Sequence, residues 1–134
     1  HTRKELATGK NRLSNALKVI TMTTDKELLE SAAKAAGLTH LTYCEVWDCM
    51  ALYNPVGYFE WDTYWNPRNS SDHAMDLISR LELSVIVHSD GITVSNSTGD
   101  ITVREGFITG SEASKVRTIK LAITKVAAAI GESL

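Results

Sequence analysis

Residues 111–131 read SEASKVRTIKLAITKVAAAIG, and the rest of the chain is organised around them. Val116, Ile119, Ile123, Val126, Ala127 and Ile130 recur at three- and four-residue steps, which lines them along one stripe of a helix. Lys115, Lys120 and Thr124 fall elsewhere on the wheel. Ser111 is placed to cap the start, Glu112 lies in the first turn, where the dipole favours an anion, and Gly131 is placed to end the helix. This is the longest apolar face in the chain. A face of that length needs cover, so the helix is expected to lie across a sheet made by the segments before it.

Working back from that helix, Ser84–His88, Ile92–Ser95 and Ile101–Arg104 read as three strands. Ser89-Asp90-Gly91 and Asn96-Ser97-Thr98-Gly99-Asp100 form the turns between them, and Asp-Gly is a strong hairpin signal. Ile92, Val94, Ile101 and Val103 alternate, so the hairpin is expected to have one wet face. Helix 72–81 precedes the strands, with Ala74, Met75, Leu77, Ile78 and Leu81 on its buried side. Before it, Tyr58–Trp65 reads as extended and Asn66-Pro67-Arg68-Asn69-Ser70-Ser71 as a loop. His40–Tyr53 reads as one or two strands, closed by the turn Asn54-Pro55-Val56-Gly57. Helix 25–36 carries Leu28, Leu29, Ala32, Ala33 and Ala36 on one side, opens on a Thr24–Glu27 capping box and stops at Gly37. Hairpin strands with packed helices make the expected fold α+β, a mainly antiparallel sheet with helices on it in an alpha-beta-alpha sandwich, with a long C-terminal helix.

The length of 134 residues fits one domain with a real core. The expected division is a basic extension over 1–21, an upstream segment or a partner-contacting arm, and a single domain over 22–134. Residues 1–21 hold five cations against one carboxylate, net +4, and the remaining residues carry nine against fifteen, net −6. An acidic body argues against a broad phosphate-binding surface. No run reaches the roughly 18 apolar residues of a membrane span, and no signal peptide is recognisable. Two cysteines, Cys44 and Cys49, are too few for a disulfide scaffold. The expectation is a cytoplasmic protein with reduced thiols.

Eight of the nine aromatic residues lie between Tyr43 and Trp65. One reading makes the cluster a recognition surface, because Trp and Tyr give large rigid contact area. The other makes it a sheet face under the helices with its polar tips at the rim. The segment holds no Lys or Arg and is interleaved with Glu45, Asp48, Glu60 and Asp62, which counts against nucleic acid. The candidate contact residues are Tyr58, Trp61, Tyr64, Trp65, Asn66 and Arg68. Trp65-Asn66-Pro67 also has a structural reading, since the residue before a proline is driven extended and Trp65 would anchor the loop.

Cys44 and Cys49 with His40, His73 and His88 offer metal-ligand chemistry. A five-residue step along one strand puts the thiols on opposite faces, so they share an ion only across a turn or bulge; no metal is expected. No phosphate-cradling glycine loop, His-Glu-x-x-His pair or nucleophile elbow is present, so neither catalytic residues nor a cofactor are assigned.

Four motifs, taken in order, resemble small phage and prophage proteins of the alpha-beta-alpha sandwich family. They are the helix Leu28–Gly37, Trp65-Asn66-Pro67, Ala74–Leu77, and the Ala-rich run Ala122–Gly131. The resemblance spans about residues 22–131 and leaves the first 21 outside it. It implies the sandwich fold and a phage context, hence a bacterial host cytoplasm, and implies no activity. The expected role is therefore a non-enzymatic accessory protein that binds a host or phage protein or a small ligand, or associates with itself as a homo-oligomer, away from membranes. The alternative is a nucleic-acid binder using the basic arm and the last helix. The order also resembles a double-stranded RNA-binding domain, for which Lys115, Arg117, Lys120 and Lys125 would be the phosphate contacts. The acidic body and the helix at 72–81 stand against it.

Overall fold

The computed structural model describes residues 24–134. The basic extension over 1–21 lies outside the described residues. Helix α1 (Asp25–Ala35) starts where expected, with Thr24 Oγ1 accepting the Glu27 N–H at 3.4 Å. It stops through paired backbone bonds, Leu38 N to Ala33 O at 2.8 Å and Gly37 N to Lys34 O at 3.1 Å. That closure needs a left-handed residue, and Gly37 takes it at φ +77°.

The region 40–65 forms a three-stranded antiparallel sheet in sequential order: β1 (Thr42–Cys44), β2 (Cys49–Tyr53) and β3 (Phe59–Trp65). Helix α2 (Ser71–Leu81) follows, capped by Ser70 Oγ on the His73 N–H. A second antiparallel three-stranded sheet comes next: β4 (Ser84–Val87), β5 (Gly91–Ser95) and β6 (Thr102–Gly106). Val94 sits between Val85 and Val103 in the registers of this sheet. Ile92, Val94, Ile101 and Val103 are all buried, so the alternation in the sequence marks the inner face correctly.

Helix α3 (Glu112–Glu132) joins the two halves. It packs on β5 and β6, as expected of a helix laid across a sheet, and also on α1 and α2. Helix α1 in turn contacts β1 and β2. The paired helices α1 and α3 thus link the first sheet to the second. This makes the molecule α+β and antiparallel, with helices packed on its sheets and a long C-terminal helix.

Two details of α3 differ from its wheel. Its first turns are open: Val116 is 41 % exposed. Its second half is enclosed on several sides, so Thr124 is buried as well and donates its hydroxyl to Lys120 O at 2.7 Å. Gly131 does not end the helix, which runs on to Glu132 with Ser133 as its cap. Gly131 instead faces the backbone of α1: a Cβ there would stand 2.8 Å from Ser31 C and nearer still to its carbonyl oxygen. Among the described residues no helix is long and apolar enough to cross a membrane.

Candidate functional site

The outer side of the first sheet is built around an irregularity in β3. Met50 pairs with Trp65 and Leu52 with Glu60, so residues 61–64 lie opposite Ala51 alone. The extra backbone needs hydrogen bonds from somewhere. Thr63 supplies them: its Oγ1 accepts the Leu52 N–H at 2.7 Å and donates to Glu60 O at 2.6 Å. The bulge swings Trp61 and Tyr64 into a line of rings.

That line is continuous. Tyr53 meets Phe59 at 4.9 Å between centroids, Phe59 meets Trp47 at 6.3 Å, and Trp47 meets Trp61 edge-on at 4.5 Å. Trp61 meets Tyr64 at 5.4 Å, and Tyr64 meets His73 at 5.6 Å. Edge-to-face and tilted pairs at these separations are the arrangements ring quadrupoles favour. The rings remain open to solvent: Trp61 is 59 % exposed, Tyr53 48 % and Trp47 43 %.

The cysteines lie in the same sheet. Cys44 and Cys49 are direct partners across the turn 45–48, so their side chains share a face. This corrects the single-strand picture, in which a five-residue step separated them. Both are buried yet lie outside the main hydrophobic core. Burial and the neighbouring Cys44 push the Cys49 thiol up to about 11. Tyr64 lies close enough for burial and the charged Cys49 thiolate to raise its phenol as well. A Cys49 thiol kept protonated at neutral pH is a poor ligand and a poor nucleophile. Among the described residues no group of three or more His, Cys, Asp or Glu is placed to hold a metal ion.

The six candidate residues fall into two groups. Tyr58, 56 % exposed, and Trp61 stand at the surface, and Tyr64 is half-buried beside Trp61. Trp65 and Asn66 are buried, at 5 % and 2 % exposure, and shape the loop from within. Asn66 N donates to His73 Nδ1 at 2.9 Å, Asn66 Nδ2 donates to Asp48 O at 2.8 Å, and Asn66 Oδ1 accepts the Arg68 N–H at 3.0 Å. Asn66 thereby fastens the loop to α2 through its backbone N–H and to the β1–β2 turn through its side chain. Arg68 is half-buried and pairs with Asp25 at the start of α1. Trp47 and Tyr53 belong to the exposed ring line, although the sequence offered no ground for ranking them above their neighbours. Thr63 and His73 were hidden in the sequence too, since their roles depend on the bulge.

Charge along the segment that builds the first sheet is one-sided. Asp48 accepts the Tyr43 hydroxyl at 2.5 Å, and this bond, with burial, pushes the phenol up to about 12. Glu60 accepts from Asn54 Nδ2 at 3.4 Å, while Glu45 and Asp62 are exposed. Three of the four cations of α3 are engaged elsewhere: Lys125 pairs with Glu105, Lys120 donates to Asn69 O at 2.9 Å, and Lys115 lies over the Phe107 ring. A hollow of about 300 Å³ beside Asn96, Thr98, Ile130 and Leu134 is bordered by none of the ring-line residues. No protein-family model, curated protein or solved structure matches the chain.

Proposed function

We propose that the protein is a non-enzymatic binding module whose contact surface is the ring line on the first sheet. The observation that supports this reading most directly is Trp61, more than half exposed yet held between Trp47 and Tyr64. Large apolar side chains left at the surface and already fixed in place lose little entropy on binding, and Trp and Tyr are the residues that dominate interface energetics. Val46 and Val56, on the turns at either end of β2, are exposed as well and extend the apolar area. The phage context belongs to this proposal on the strength of the motif resemblance alone, and the gene neighbourhood tests it.

The surface itself is tested with Trp61→Ala and Tyr58→Ala. Both side chains are exposed, so the variants are expected to fold. Trp65→Ala is unsuited, because it would empty a buried site. Capture of a partner protein, or self-association followed by light scattering, is expected to fall in both variants. Unchanged capture and unchanged assembly in folded variants would remove this face from consideration.

A further inference from the structure

The exposed rings of the first sheet lie in a stretch of chain that is rich in carboxylates and carries no Lys or Arg. From Ala35 to Pro67 the chain has no Lys or Arg, whereas Glu45, Asp48, Glu60 and Asp62 all fall in that span. Arg68, the next cation, is taken up by Asp25. On the second sheet and the helices, Arg80 pairs with Asp76, Arg104 with Asp90 and Lys125 with Glu105. Glu45 shares the 45–48 turn with Trp47, and Asp62 follows Trp61 within the bulge. Glu45 thus stands two residues from Trp47 and Asp62 next to Trp61, the two indoles that meet edge-on.

Aromatic faces carry a negative quadrupole and attract cations, more strongly where carboxylates add their charge. Resting on the contact surface proposed above, we infer that this face binds a cationic peptide segment of a partner protein, its arginine or lysine side chains lying against Trp47 and Trp61 and countered by Glu45 and Asp62. The charge pattern disfavours the other occupants. A second copy docking through the same face in a two-fold interface would set carboxylates against carboxylates. Nucleic acid would bring phosphates to a stretch of chain with no Lys or Arg to receive them. A neutral proline-rich segment would use the rings but leave the carboxylates without counter-charge.

The test uses the full chain and two short peptides of equal length, one alternating arginine with serine and one alternating citrulline with serine. Citrulline keeps the planar shape of arginine and much of its hydrogen bonding but has no charge. The arginine peptide is expected to bind, to weaken as salt rises, and to exceed the citrulline peptide by about tenfold or more. Trp61→Ala is expected to weaken it roughly three- to thirtyfold, the range for losing a cation–π contact. Glu45→Gln with Asp62→Asn leaves every ring in place, and is expected both to weaken binding and to flatten its salt dependence. Equal binding of the two peptides, or a double carboxamide variant that binds like the wild type, overturns the inference. If light scattering shows an assembly that Trp61→Ala disperses and the arginine peptide leaves intact, the cation inference falls and the contact surface stands. If neither peptide binding nor assembly nor capture responds to Trp61, both fall.

Discussion

Thr63 shows how one side chain can determine a surface. At an ordinary strand position the Leu52 N–H would bond to a carbonyl of the neighbouring strand; here it bonds to a hydroxyl, which passes its own hydrogen to Glu60 O. Thr63→Val keeps the shape and removes both bonds, leaving a part-buried N–H without its partner. The expected loss is about 1–3 kcal/mol of folding stability, the cost of leaving such a group unpaired. It is read as a lower denaturant midpoint, with a change in the near-UV dichroism of Trp61 as the ring line loosens. An unchanged midpoint would mean that the bulge is held by other contacts. In the sequence Thr63 is an unremarkable β-former inside an aromatic run, because a two-residue period carries no sign of where extra residues will be inserted. Asn66 was legible as a special position through the proline after it. The partners that give it that role, Asp48 O and His73 Nδ1, lie 18 and 7 residues away.

At the scale of elements, the crossing of α1 and α3 depends on a glycine whose location was correctly seen and whose role was not. Gly131 lies near the end of an amphipathic run, and a helix stop is the local reading of such a residue. The helix continues through it because the backbone of Ser31 occupies the space where a Cβ would project. Two effects oppose each other in Gly131→Ala. Alanine favours the helix by about 1 kcal/mol over glycine. Forcing a methyl into packed backbone costs about 1–3 kcal/mol or more, and backbone cannot swing aside as a side chain can. The clash is expected to win, giving a lower melting temperature. A variant as stable as the wild type would show that the two helices separate at little cost. The alanines at 122, 127, 128 and 129 follow the same logic, since all are buried where α3 meets its neighbours. Hydrophobic periodicity finds one stripe, whereas a helix gripped from several sides buries residues that no stripe contains.

At the scale of the whole molecule, the loop 66–70 carries the chain from the first sheet into α2, and His73 ties it down. Burial lowers the His73 imidazole below its ordinary value, while Asp72 and Asp76 pull it upward. Its Nδ1 accepts the Asn66 N–H, so the proton it would gain in acid would displace that bond. A pKa lower in the folded than in the unfolded chain means that the unfolded chain binds the extra proton first. Stability is therefore expected to be complete above the ordinary histidine range, near pH 6.5, and to fall as pH drops from there toward the depressed folded value. His73→Gln is expected to lower stability at neutral pH and to flatten the decline between about pH 7 and pH 5. Urea unfolding across that range measures it, and an equally steep decline in the variant would assign the effect to other groups.

The sequence by itself determined the kind and order of elements over residues 24–134, along with the inner face of β5 and β6 and the N-caps of α1 and α3, Thr24 and Ser111. These depend on interactions within one turn of helix or one hairpin, and such short-range physics is written in spacing and residue type. Only the tertiary structure decided that the strands divide between two sheets, that Cys44 faces Cys49, and that Trp61 stands outside while Trp65 lies within. Two tryptophans in one strand have the same local propensity. Which of them is covered depends on the surface that arrives from a distant part of the chain, and no local pattern records that arrival.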